Sequence, residues 1–336
     1  MGGDAALNIF LQLQETPHNK LLKERTKVKL KVSKLITLVS LITLLSACGD
    51  GGGGISGTGL SDAAVKSLSV SSSTPSAASC SNSFSDTDAF GNIQFQPSTG
   101  TTPWGCLVVD QSSGQPVVSG TKSVRVELRP GDCDSSQTFL SGSTVVSDCT
   151  SDRSRFEIMQ RTGGSTAGQF LTFEYSVFIP AQSNFQPPWK GTGSPPLTVL
   201  SQINWQCFAS PCPTLGSNGY GALAYLVIDS TGTLFVQTHK DFTWVPNHKI
   251  AIDSNPFDKW IKLKYFIKSS SSGDGVFWFY ANDKLILGEN RATLPNPYAF
   301  IYLKLGIYNS SISSVSKPWS TQVIYYDAIS TKVENY

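Results

Sequence analysis

Tyr302-Leu-Lys-Leu-Gly-Ile-Tyr-Asn-Ser310 alternates without a break. Leu303, Leu305 and Ile307 share one parity; Tyr302, Lys304, Gly306 and Tyr308 share the other. A strand repeats every two residues, so this stretch predicts a strand with one apolar face packed inward. The opposite face carries two phenols and an ammonium, with a glycine among them. Glycine lets something lie close to the backbone between Lys304 and Tyr308. Such a face suits a polar groove, and it equally suits a solvated sheet face.

Two other stretches have the same polarity. In Ser123-Val-Arg-Val-Glu-Leu-Arg129, Arg125, Glu127 and Arg129 lie opposite Val124, Val126 and Leu128. In Ser201-Gln-Ile-Asn-Trp205, Gln202 and Asn204 share one face. As neighbours in one curved sheet, the three strands would build a groove holding Arg, Gln, Asn, Lys and Tyr. Arg125 and Glu127 also suit a structural ion pair on a solvated strand.

Around these, strands are predicted over 124–128, 169–179, 197–205, 222–228, 233–238, 260–267, 276–281, 299–308 and 322–329. Each is rich in β-branched and aromatic residues and bounded by turn residues. Asp229-Ser-Thr-Gly232, Ser269 to Gly275 and Asn282-Asp283 read as hairpin connections. No long amphipathic helix, internal repeat, GxGxxG, P-loop or GxSxG is evident, so nucleotide binding and the common serine-hydrolase layout have no support. The fold class expected is all-β: a two-sheet jelly roll, a concanavalin A-like sandwich, with a concave substrate groove.

The totals agree. The chain has 336 residues, 40% apolar and only 15% charged. That mix favours an exported β protein over a cytosolic helical one. The formal net charge of +2 comes from the amino terminus. Residues 1–47 hold seven of the 26 basic and three of the 24 acidic residues, leaving 19 and 21, or about −2, for the remainder. No global basic field exists to hold nucleic acid.

The amino terminus reads as an address. A basic run from Lys27 to Lys34 precedes an apolar run from Leu35 to Leu45, then Leu45-Ser-Ala-Cys48 and a glycine tract. The apolar run is too short for a stable bilayer span. The Leu-Ser-Ala-Cys ending resembles a bacterial lipobox, which implies cleavage before Cys48 and lipid attachment to it. Gly49 after the cysteine suggests outer-membrane sorting by the same resemblance. The domain expectation is a leader at 1–47, a flexible Gly/Ser tether at 48–78 and a folded domain at 79–336. Six cysteines follow Cys48: Cys80, Cys106, Cys133, Cys149, Cys207 and Cys212. An even number in an exported chain reads as disulfides, with about fifteen pairings open. Pairing of near neighbours, 80 with 106, 133 with 149 and 207 with 212, is the most economical. Cysteine spacing and the three histidines match no zinc pattern, and no metal or other cofactor is expected.

The runs Arg125-Val-Glu-Leu-Arg129, Gln202-Ile-Asn204 and Tyr302-Leu-Lys-Leu-Gly-Ile-Tyr-Asn309, in this order, resemble the signature strands of jelly-roll polysaccharide lyases, the alginate lyases above all. Trp260-Ile-Lys-Leu263 and Gly275-Val-Phe-Trp-Phe-Tyr-Ala-Asn-Asp-Lys284 resemble the related heparin lyase I and glucuronan lyase group. The resemblance implies β-elimination on a uronic-acid polymer. Gln202, Asn204 and Arg125 would neutralise the sugar carboxylate, and Tyr308 would move the proton, its pKa lowered by Lys304 and Arg129. Lys304, Arg129 and His239 are the expected substrate-binding residues. Asn204 stands where the alginate lyases have a histidine, and an amide cannot act as a base. His239 would then supply an imidazole from another strand, or be a surface histidine near a strand end. Trp189, Trp205 and Trp244 suit either sugar stacking or a core.

The expected partners are an acidic polysaccharide and, through Cys48, a membrane; a monomer is expected. A carbohydrate-binding module without catalysis is the competing reading, favoured by Asn204. A laminarinase-type hydrolase would need paired carboxylates in a Glu-x-Asp-x-x-Glu strand, which the chain lacks.

Overall fold

The computed structural model describes residues 78–79, 95–99, 102–133, 138–141, 144–160, 164–181, 185, 197–207, 220–239, 246–310, 312 and 319–335. All fall within the unit Ser71–Tyr336. The expected leader, most of the tether and Cys48 lie outside the described residues, as do Cys80, Trp189, Cys212 and Trp244.

The strands in chain order begin with β1 (Ala78–Ser79), β2 (Phe95–Thr99), β3 (Cys106–Asp110), β4 (Lys122–Leu128), β5 (Thr138–Ser141) and β6 (Thr144–Ser147). Next come β7 (Arg153–Gln160), β8 (Ser165–Thr166), β9 (Gln169–Phe178), β10 (Thr198–Cys207), β11 (Tyr220–Ile228) and β12 (Leu234–His239). The last are β13 (Pro246–Asp253), β14 (Trp260–Ser269), β15 (Val276–Ala281), β16 (Lys284–Asn290), β17 (Ala299–Ser310) and β18 (Gln322–Asn335). The first sheet runs β1-β3-β4-β18-β9-β14-β15-β16. The second runs β13-β12-β11-β10-β17-β7-β2, with β8 also on β17, and β5 and β6 form a separate hairpin.

Both sheets pack on one core. The first contributes Val124, Val126, Phe173 and Leu263; the second contributes Ile158, Ile203, Leu303, Leu305 and Ile307. Leu303, Leu305 and Ile307 are fully buried, as their parity predicts, and each contributes roughly 1.5–3 kcal/mol of apolar burial. This is the two-sheet sandwich that the sequence predicts. The nine predicted strands are present. Strands β1, β2, β3, β5, β6, β7, β8, β13 and β16 were not anticipated. Strands β13 and β16 are sheet edges, where exposure weakens the apolar signal. Strand β7 carries Arg153, Arg155 and Glu157, and the three charges hide its buried face.

The three predicted connections join β11 to β12, β14 to β15 and β15 to β16. Asn282 and Asp283 have φ of 48° and 63°, the pair of positive values that a two-residue hairpin turn demands. The disulfide Cys133–Cys149 is formed, as expected. Cys106 and Cys207 are also disulfide-bonded, to partners outside the described residues.

Gly306 corrects one expectation. What approaches its backbone is β7. A Cβ on Gly306 would lie 2.3 Å from the Phe156 carbonyl oxygen and 2.7 Å from Glu157 Cα, and its φ is +155°. Here the β10–β17 register shifts, so that Val199 faces Tyr308 but Ser201 faces Leu305. Such an irregularity leaves ladder groups unpaired. Tyr326, on β18 of the other sheet and fully buried, fills the gap from the core side. Its hydroxyl accepts from Gly306 N–H at 3.1 Å and has two carbonyl acceptors for its proton, Gly306 O at 2.8 Å and Leu200 O.

Tyr326→Phe should therefore leave buried backbone groups unpaired and lower stability by about 1–3 kcal/mol, measured by urea denaturation.

Candidate active site

Strand period two turns Gln202 and Asn204 of β10, and Lys304 and Tyr308 of β17, away from the core that Ile203, Leu303 and Leu305 enter. The two strands are hydrogen-bonded neighbours. Gln202 faces Lys304 and Asn204 faces Tyr302 across the ladder. These four predicted site residues are therefore brought together on the outer face of the second sheet.

Arg125 and Arg129 are not with them. Strand β4 belongs to the first sheet, between β3 and β18. Val124, Val126 and Leu128 point into the shared core, so Arg125 and Glu127 face out on the opposite side of the sandwich. The expectation of three adjacent strands in one groove is corrected. Both arginines bond the Glu127 carboxylate, and the Arg129 guanidinium lies 4.1 Å from the centroid of the Trp104 ring. Glu127 is thus the structural partner of two cations. The physical reason is topological: the same local alternation occurs on two strands, and only pairing assigns each to a sheet.

Strand β7 occupies the place expected for β4. It pairs with β17 on the side away from β10, with Arg155 facing Tyr308, Glu157 facing Gly306 and Met159 facing Lys304. The Arg155 guanidinium lies over the Tyr308 ring, 5.1 Å from its centroid. Glu157 is 2% exposed and gathers the polar groups of three strands. Gln202 Nε2 donates to Glu157 Oε1. Arg155 Nη1 donates to Glu157 Oε2 at 3.4 Å, and Lys304 Nζ lies 3.8 Å from the same oxygen. Asn204 Nδ2 donates to Gln202 Oε1 at 3.3 Å, extending the chain of bonds along β10. Arg155 is also bonded at two points to buried Asp148. Neither Arg155 nor Glu157 was anticipated. The signal was present, because Arg153, Arg155, Glu157 and Met159 alternate with Ser154, Phe156, Ile158 and Gln160.

Tyr225 of β11 completes the face, opposite Gln202 on one side and Gln237 on the other. His239, the last residue of β12, is 1% exposed rather than on the surface. Its ring meets Tyr225 edge-on, with centroids 4.8 Å apart, and its Nε2 is 3.5 Å from Gln237 Nε2. Trp205 is a core residue, fully buried with its ring against Gly221.

The electrostatics depart from expectation in one respect. Burial raises the Tyr308 pKa; Arg153 and Arg155 oppose it, Glu157 and Asp148 reinforce it, and the result is upward. Arg129 has no part, being on the other sheet. Tyr225 is raised well above the usual phenol value by burial, then by Tyr308 and Glu157. Lys304 is lowered, chiefly by burial, with Arg155 adding and Glu157 opposing.

A family model described as polysaccharide lyase matches residues 94–330. The chain belongs to the polysaccharide lyase family. The matched span runs from β2 into β18 and holds every residue of the cluster around Glu157. Similar solved structures include the endo-β-1,4-glucuronan lyase of the fungus Trichoderma reesei, with 15% identity over 73% of this chain and 92% of that one, at a TM-score of 0.49. Alginate lyase Aly36B is 15% identical over 76% of this lyase and 95% of its own chain, at a TM-score of 0.47. No curated protein matches the lyase.

Glu157→Ala would leave Lys304 and part of Arg155 buried without their partner. The lyase should lose about 3–5 kcal/mol of stability, measured by chemical denaturation.

Proposed function

We propose that this polysaccharide lyase cleaves a uronate-containing polymer by β-elimination on the outer face of the second sheet. The observation that carries the reading is one juxtaposition. A phenol, Tyr308, lies under a guanidinium, Arg155, and Glu157 joins that guanidinium to the amide pair Gln202 and Asn204, within a family that cleaves polysaccharides.

The chemistry follows from the groups available. The hydrogen on the carbon next to a sugar carboxylate becomes acidic only when the carboxylate charge is offset. Arg155 has five N–H groups and spends three on Asp148 and Glu157, leaving two to donate. The amides of Gln202 and Asn204 each keep one N–H beyond the bonds described above. These donors offset the carboxylate. Tyr308, as phenolate, takes the proton from that carbon. The electron pair forms the ring double bond and expels the glycosidic oxygen, and the same phenol returns the proton to it. Arg155 takes the role expected for Arg125, and Lys304 adds positive charge along the groove. Asn204 acts as a donor and not as a base. Lipid attachment at Cys48 and an outer-membrane, periplasmic or extracellular site belong to the same proposal; the lipobox resemblance supports them.

The test is absorbance of unsaturated sugar ends with a panel of uronate polymers. At least one polymer should give product, and Tyr308→Phe should lower kcat by about 10² or more; normal turnover by that variant would sink the reading. The raised Tyr308 pKa sets the sign of the pH dependence. Little phenolate exists at neutral pH, so kcat/KM should climb from neutral into the alkaline range. Arg155→Ala removes a charge that lowers this pKa and should move the rise to higher pH, measured by initial rates across buffers.

A further inference from the structure

Arg155 is held from behind. Its Nε and Nη2 bond Asp148 Oδ2 and Oδ1, the second at 2.8 Å. Two parallel bonds to one carboxylate fix the plane of a guanidinium as well as its place. Asp148 has no exposed surface, so no substrate touches it, and its side-chain hydrogen bonds toward the site run to Arg155. It opens the short turn Asp148–Thr150, which follows β6 directly. That turn is closed at its start by Ser147 N donating to Thr150 Oγ1 at 2.9 Å, and at its end by Ser151 N donating to Asp148 O at 3.3 Å.

The neighbouring covalent bond points the same way. Cys149, next to Asp148, is bonded to Cys133, with Cα atoms 5.1 Å apart. The residue before Cys133 is tied to β7, since Ser154 Oγ donates to Asp132 O at 2.6 Å. The Asp132 carboxylate in turn accepts from Arg129 N at 2.8 Å and from Trp104 Nε1 at 3.0 Å. The turn that carries Asp148 is therefore moored, through the disulfide, to the strand that carries Arg155.

We propose that Asp148 is a positioning residue for the elimination: it fixes the plane of Arg155 over the Tyr308 ring, and the Cys133–Cys149 disulfide keeps its turn in register with β7. The proposal rests on the reading that Tyr308 moves the proton. Without Asp148 the guanidinium is free to turn about its long side chain, and its remaining N–H groups lose their aim. Substrate binding, which draws on several other donors along the sheet, changes little. The elimination step, which needs the guanidinium beside the phenol, slows.

The test uses the full chain and the polymer that gives product. Asp148→Asn should lower kcat about tenfold or more while KM stays within about threefold. In an Arg155→Ala background the same change should add no further loss, because Asp148 acts through Arg155. Cys133→Ser with Cys149→Ser should lower kcat in the same direction, by about threefold or more, at a temperature where circular dichroism shows the chain folded. Wild-type kcat in Asp148→Asn, or losses that add to those of Arg155→Ala, overturns the proposal. Wild-type kcat in the double cysteine variant overturns the part assigned to the disulfide. Should Asp148→Asn not fold, Arg155→Lys keeps the charge without the two-point hold, and the same kcat loss at constant KM is expected; an unchanged kcat refutes it. Tyr308→Phe separates the two levels. If that variant turns over normally, the reading of the site fails; if it is inactive while Asp148→Asn is normal, only the positioning role fails.

Discussion

The Glu157 carboxylate lies almost out of contact with water, and a buried charge is costly unless it is paired and hydrogen-bonded. Its pairing requirement organises the face around it. Oε1 accepts the Gln202 amide from β10, while Oε2 faces Arg155 on its own strand and Lys304 on β17. One carboxylate thus sets the orientation of three side chains on three adjacent strands. Removing any of these strands from the sheet would take a partner from a buried charged group, so register and electrostatics reinforce each other. Arg155 sits between two carboxylates. Burial works against its charge, but Glu157 and Asp148 more than offset that and keep it fully protonated.

The backbone makes room for this arrangement at a single glycine. Strands β17 and β7 come so close at Gly306 that no side chain fits between its Cα and the β7 backbone. The register shift against β10 occurs at the same place, and the Tyr326 phenol from the opposite sheet repairs it. Above and below, strict alternation keeps Ile203, Leu303 and Ile307 in the core while Gln202, Lys304 and Tyr308 face outward. Since side-chain period is two, a slip of one residue would exchange the core face for the groove face. The apolar face is what prevents that slip.

Tyr308 shows how a local field differs from a list of nearby charges. Two arginines lower its pKa, yet the phenol remains raised because it is buried and because Glu157 and Asp148 push the other way. The carboxylates that make the cations affordable inside the protein also blunt their effect on the phenol. Tyr225 meets a similar competition and is likewise raised, chiefly by burial.

Much of this could be read from the chain. The alternation of 302–310 and of Gln202-Ile-Asn204 placed two strands, their buried faces and four polar groups, since a period of two needs only local sequence. The hairpin turns at 229–232 and 282–283 were legible because positive φ restricts which residues serve there. The nearest-neighbour pairing of Cys133 with Cys149 was also within reach. What the sequence could not decide was which of two alike strands joins the site. Arg125-Val-Glu127 and Arg155-Phe-Glu157 carry the same charges at the same spacing. Strand partners are chosen by long-range packing, so β4 went to the far sheet and β7 to the flank of β17. The burial of Glu157, Asp148 and His239, and with it the direction of the Tyr308 shift, likewise depends on what covers each group. Periodicity determined the faces; only the tertiary fold determined which faces meet.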